Sequence, residues 1–231
     1  MARPDATGLA GALRDGTSDA HEAAESEPFV RRLTAGELPI EAYPALVVQN
    51  HAIYSTLERL GERWRDDPIA GTFVVDELRR VPSLEADLAQ LLGPDLAEEQ
   101  RIEDATRRYT AHLENVCGDW PAGYVTHHYV RYLGDLSGGQ ILKQAVEKAY
   151  PQAPTSFYTF EGIARIKPFR DRYRRMLDAL PVGVADQRRM VAEAIVAFDL
   201  NRAVFADLAA RYSPGAPVHW AGQRPGCGAA W

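Results

Sequence analysis

Arg131-Tyr132-Leu133-Gly134-Asp135-Leu136-Ser137-Gly138-Gly139-Gln140 interrupts a stretch that otherwise reads as helix. Before its end, Tyr124, Tyr129, Tyr132, Leu133 and Leu136 recur at helical steps; after it, Ile141, Leu142, Ala145, Val146 and Ala149 do the same. A glycine in a helix interior costs about 0.8–1.0 kcal/mol relative to alanine, so three cost roughly 3 kcal/mol. Something else in the fold must offset that. Two readings are open. Glycines let backbones approach closely at a loop or a helix crossing. Alternatively, a kinked helix lays bare backbone against a flat ligand. Gly134 and Gly138 are four apart and share a face, Asp135 stands one step off it, and Arg131 lies four residues before Asp135. A carboxylate beside a glycine-lined surface is suited to organising water near a ligand, but spacing does not name that ligand.

Outward from this segment the chain is helical on both sides. Tyr43, Leu46, Val47, Asn50, Ile53, Tyr54, Leu57, Leu60 and Trp64 make the strongest three- and four-residue repeat. Leu84, Leu88, Leu91 and Leu92 form a shorter piece stopped by Gly93-Pro94. Ile102 to Val116, Ile166 to Leu180 (ended by Pro181) and Val191 to Leu208 follow. No strand alternation competes. The expectation is an all-α, single-domain helical bundle over residues 1–212, with a loop from Pro151 to about Gly162. Residues 213–231 form a Pro/Gly-rich C-terminal tail, expected to be extended or disordered.

Composition narrows the class. The chain has 231 residues, 46% hydrophobic and 25% charged, which suits one soluble globular domain. A net charge of −6 gives no support for nucleic-acid or membrane-surface binding. No apolar run approaches the roughly 20 residues that span a bilayer. Cys117 and Cys227 are too few for a cysteine zinc site or a disulfide framework, and read as free thiols in a reducing, cytoplasmic compartment.

Among six histidines, His21 has the most informative neighbours. Glu25 lies four residues on, placed to accept the second imidazole N–H as partners of metal-bound histidines do. Arg14 lies two turns earlier, so Arg14 and His21 suit opposite ends of one extended ligand. An exposed helix face with ordinary charges fits the same pattern. Arg170 and Arg174 share a second basic face, suited either to anionic groups or to solvent. A di-iron bundle needs Glu-x-x-His on two helices, and no histidine here has glutamate three residues before it.

The segment Arg131–Gln140 resembles the distal-helix signature of the heme oxygenases. Thr17-Ser18-Asp19-Ala20-His21-Glu22-Ala23-Ala24-Glu25 is similar to the family's proximal helix, Phe157-Tyr158-Thr159-Phe160 to a loop before its penultimate long helix, and Phe198-Asp199-Leu200-Asn201 to its last helix. These pieces occur in the right order over roughly residues 9–212. The resemblance implies a heme b sandwiched between a proximal and a kinked, Gly-rich distal helix. His21 is then the axial iron ligand and Glu25 its partner. Gly134, Gly138 and Gly139 let the distal helix approach the heme. Arg14, Tyr129, Arg170 and Arg174 hold the propionates, and Phe198 lies beside the heme. Tyr54, Arg131, Asp135 and Asn201 belong to a distal water network. His127 and His128 are the fallback ligands.

The implied activity is cleavage of heme at the α-meso carbon to biliverdin IXα, CO and ferrous iron. Heme is both substrate and cofactor, O2 is co-substrate, and electrons come from an external ferredoxin-type or NAD(P)H-reductase donor. A monomer with no membrane or nucleic-acid partner is expected. The alternative on the same fold is a non-catalytic heme carrier or sensor.

Overall fold

The computed structural model describes residues 8–92 and 101–213. The expected tail beyond Ser213, Cys227 and the Gly93-Pro94 stop lie outside the described residues. Among the described residues there are ten α-helices and no strand. They are α1 (Leu9–Gly16), α2 (Ser18–Glu25), α3 (Pro28–Thr34), α4 (Ala42–Arg63), α5 (Val81–Leu92), α6 (Asp104–Cys117), α7 (Pro121–His128), α8 (Gly138–Ala149), α9 (Ile166–Asp178) and α10 (Val184–Arg211).

The boundaries follow from local chemistry. Proline opens α3 and α7 at the first turn, where the missing N–H costs nothing. Helix α3 ends in a Schellman motif: Gly36, at φ 71°, donates to Leu33 O (3.1 Å) while Glu37 N–H reaches Arg32 O (2.9 Å). The 28-residue α10 is about 42 Å long and packs against α1, α2, α3, α6 and α7. Helix α4 packs on α5 and α6 and buries Leu46, Ile53, Tyr54, Leu57 and Leu60, the stripe its periodicity marks. The large buried side chains are mostly aromatic or leucine, and Tyr43, Tyr54, Tyr109 and Tyr173 are all fully enclosed. The segment from Pro151 to Arg165 is a loop apart from one short 3-10 turn, Ser156–Tyr158.

Two details depart from the sequence reading. Arg14 and His21 are not on one continuous helix. The chain breaks at Thr17 (φ −117°, ψ 6°), just after Gly16, where a methyl would stand 2.5 Å from Val191 Cγ1 on α10. The close approach of α10 decides that break. The three signature glycines also do not all sit in a helix interior. After α7 the backbone widens into a π turn, Tyr129–Leu133, and then breaks at Ser137 (φ −118°, ψ −89°). Gly138 and Gly139 therefore open α8, and the interior penalty applies chiefly to Gly134, about 1 kcal/mol rather than 3. The Ser137 hydroxyl donates to Leu133 O (2.8 Å), which recovers one carbonyl that the break leaves free.

Candidate functional site

The kinked segment from α7 through α8 and the α1–α2 pair face each other across a cavity of about 640 Å³, within the roughly 300–1,000 Å³ typical of cofactor sites. On one wall stand Arg14, Thr17, Ser18, His21, Ala24 and Glu25. The other wall is Tyr129, Val130, Leu133, Gly134, Ser137, Gly138, Gly139, Ile141 and Leu142. Val30 and Thr34 from α3, Arg174 from α9 and Phe198 and Phe205 from α10 complete it.

Each wall has a distinct chemistry. His21 is half-exposed, its Nε2 lies 3.6 Å from Glu25 Oε1, and its ring meets Phe198 edge-on at 5.6 Å between centroids. That leaves an imidazole standing at the cavity surface with a carboxylate beside it. Across from it, Gly134 has nothing within 4 Å of where a side chain would begin, and a methyl on Gly138 would stand 3.6 Å from Glu25 Oε1. The glycines thus present backbone to the cavity and let the two walls come close. Arg14, Tyr129 and Arg174 bring two guanidinium groups and a phenol. Arg14 pairs with the neighbouring Asp15 (2.7 Å) and Arg174 with Asp171 (3.2 Å), both at exposed positions where such pairs are worth little and open readily to another anion.

Behind the glycine wall lies a polar network that does not itself line the cavity. Tyr54 donates a hydrogen bond to Asp135 Oδ2. Arg131, buried, donates to Asn201 Oδ1 and to Asn50 Oδ1 (2.8 Å), and its guanidinium sits 4.7 Å from the centroid of the Tyr54 ring. Gln140 donates to the backbone oxygens of Asp135 (3.3 Å) and Tyr158 (2.9 Å), tying the start of α8 to the network. Burial pushes the Asp135 carboxyl up to about 6, against the lowering pull of Arg131, Tyr54 and Arg80. A carboxyl in that range changes protonation near neutral pH.

The structure brings Arg14, His21, Glu25, Tyr129, Gly134, Gly138, Gly139, Arg174 and Phe198 to one cavity, and joins Tyr54, Arg131, Asp135 and Asn201 behind it. Arg170 is not in the lining; it is half-buried one turn before Arg174, its Nε without a partner. His127 and His128 do not line the cavity either. Both are buried, His127 against Glu193 (2.9 Å) and His128 Nδ1 against the Tyr173 hydroxyl (2.7 Å). Sequence reasoning missed Asn50, the second partner of Arg131. Its signal was present: an amide standing at a core position of the α4 stripe. It also missed Ile141, whose large exposed side chain at the cavity edge is unusual for an isoleucine.

A family model described as heme oxygenase matches residues 7–207. The chain is 37% identical over 202 residues to heme oxygenase 1 of Synechocystis, covering 87% of this chain and 84% of that one. It is 36% identical over 201 residues to heme oxygenase 1 of Gallus gallus, covering 85% and 68%. Its fold matches the crystal structure of Synechocystis heme oxygenase-1 in complex with heme with a TM-score of 0.85, at 36% identity, over 89% of this chain and 94% of that one. The chain belongs to the heme oxygenase family.

Proposed function

We propose that this chain opens heme b oxidatively at the α-meso carbon, with O2 as co-substrate and electrons from an external ferredoxin-type or NAD(P)H-reductase donor, to give biliverdin IXα, CO and ferrous iron. The observation that carries this reading is the pairing of a His21 wall with a bare glycine wall across one cavity. The donor set fits an amphipathic disc: one imidazole for an iron, two guanidinium groups and a phenol for carboxylates, and aromatic or aliphatic surface for the rest. A side chain larger than hydrogen at Gly134 would project into the space such a disc needs.

Bound heme supplies the iron that activates O2 and the meso carbon that is attacked. The protein's residues do the rest. His21 would hold the iron through one ring nitrogen and keep the other N–H for Glu25, which would fix the tautomer. Arg14, Tyr129 and Arg174 would hold the propionates and so fix the rotation of the bound disc in the cavity. Arg170 is left out of this set because it does not line the cavity. Gly134 and Gly138 leave the opposite face open. Asp135 acts from behind that wall by ordering a water, with Tyr54 saturating one carboxylate oxygen and Arg131 with Asn201 fixing Tyr54 in place. A carrier needs no buried, hydrogen-bonded carboxyl behind an open wall, so the Asp135 network favours turnover over storage.

The test is aerobic turnover. Supplied with hemin, a reductant and O2, the protein should lose its Soret band and release biliverdin and CO. A retained histidine-ligated spectrum without verdin product would leave only a heme carrier.

A further inference from the structure

Away from the cavity, three helices bring His112 (α6), His127 (α7) and Glu193 (α10) together. Among the described residues this is the one group of three whose nitrogen, sulfur or carboxylate donors converge in this way. Glu193 Oε1 lies 2.6 Å from His112 Nε2 and 2.9 Å from His127 Nε2, and all three donor atoms fall within 4.8 Å of one another. None of the three lines the heme cavity, and the proposed chemistry uses none of them. Among the described residues, Glu193 is the only partner that either ring nitrogen of His127 has.

We propose that His112, His127 and Glu193 form a binding site for a divalent first-row transition ion of the Zn2+ and Fe2+ class. Two imidazoles and one carboxylate are the donor set of open zinc sites and of the ferrous facial triad. Tetrahedral bonds of 2.0–2.1 Å place ligand atoms about 3.3 Å apart, so Glu193 Oε1 must draw back about 0.7 Å from His112 Nε2 and about 0.4 Å from His127 Nε2 to admit the ion, a side-chain adjustment. The burial is graded in the way an entry path requires. His127 is fully enclosed, the Glu193 side chain is 14% exposed and the His112 side chain 29%, which leaves one side of the site facing solvent for a water ligand. Such an ion would pin α6, α7 and α10 together just before the π turn. His127 stands four residues before Arg131, at the end of the helix that leads into the π turn carrying that part of the distal network.

The site does not depend on the heme reading, and its test uses the full heme-free chain with metal alone. Equilibrium dialysis against Zn2+, and titration with Co2+ followed by its visible absorption, should show one ion bound per chain. Both Glu193→Gln and His112→Ala should weaken binding roughly 100-fold, at or beyond the upper end of what loss of an outer-shell partner costs. His21→Ala should leave it unchanged. As a second readout, Zn2+ should raise the melting temperature of the unsubstituted chain and not that of Glu193→Gln. No uptake by the unsubstituted chain, or uptake lost in His21→Ala and kept in the other two variants, overturns the proposal; the cluster is then a hydrogen-bonded triad.

Discussion

Asp135 carries two opposing consequences in one side chain. Its folded pKa, near 6, lies above the 3.8 of an unperturbed carboxyl because burial disfavours the charge. Between those values the folded state holds more protons than the unfolded one. The stability from this group is therefore complete below about pH 3.8 and is lost as pH rises through about 6. A difference of that size is worth up to about 3 kcal/mol at neutral pH. Asp135→Asn keeps an acceptor for Tyr54 and removes the buried charge. It should melt higher than the unsubstituted chain at pH 7.5, with the gap closing toward pH 4. The same change should cut biliverdin yield and abolish an acid limb near pH 6 in the turnover profile; unchanged yield would remove Asp135 from the chemistry. His21 behaves in the opposite way. Half-exposed and without a short hydrogen bond, it contributes little to the fold, so His21→Ala should leave the heme-free melting temperature within the effect of about 0.5 kcal/mol. It should nevertheless lose the histidine-ligated heme spectrum, and retention of that spectrum would show that another residue is the ligand.

The π turn, the break at Ser137 and the glycines make the distal element a wall rather than a rod. A π turn widens the helix by one residue per turn and rotates everything after it, which is why such turns concentrate at functional positions. Here the rotation separates labour: Arg131 and Tyr132 stay buried, while Gly134 reaches the cavity. Gly134 is helical (φ −61°, ψ −49°) and its missing side chain touches nothing. Alanine there gains up to about 1 kcal/mol of helix propensity. Gly134→Ala should stabilise the heme-free protein by that order in urea unfolding and weaken heme binding in a titration. If heme affinity is unaltered, the glycine serves packing alone. Gly139 should not show this gain, because a methyl there meets the Tyr158 ring at 3.3 Å.

The molecule as a whole holds the cavity by tying distant segments to one another. Asp87 on α5 accepts hydrogen bonds from the backbone N–H groups of Ser156 and Phe157, both at 2.9 Å. Arg80 donates to the carbonyls of Phe157 (3.1 Å) and Thr159 (2.8 Å) and lies 4.0 Å from the centroid of the Phe160 ring. These two buried charged residues fix the loop whose Tyr158 backs Gly139 and receives Gln140, so the loop supports the glycine wall from behind. Asp87→Ala strands two buried N–H donors and should cost about 2–5 kcal/mol in equilibrium unfolding. A cost below 1 kcal/mol would mean that the loop is held by its aromatic packing instead. No described helix is long and apolar enough to cross a membrane.

The sequence by itself determined the long helices, the glycine anomaly and the order of the chemistry-bearing segments along the chain. Those depend on periodicity and local propensity, which act over a few residues and are written in any window of the chain. Asn50 shows the edge of that legibility: an amide in an apolar stripe announces a buried partner but not which one. Tertiary structure alone decided that the partner is Arg131, 81 residues away, that Arg174 and not Arg170 faces the cavity, and that His112, His127 and Glu193 meet. It also placed the breaks at Thr17 and Ser137, because a helix gives up its hydrogen-bond ladder only where a neighbouring element or a ligand surface offsets the loss. The segment Arg131–Gln140 thus announced a cost in helix propensity that either close packing or a flat ligand could offset. The opposite wall, drawn from α1, α2, α3, α9 and α10, was assembled by packing between residues far apart in the chain.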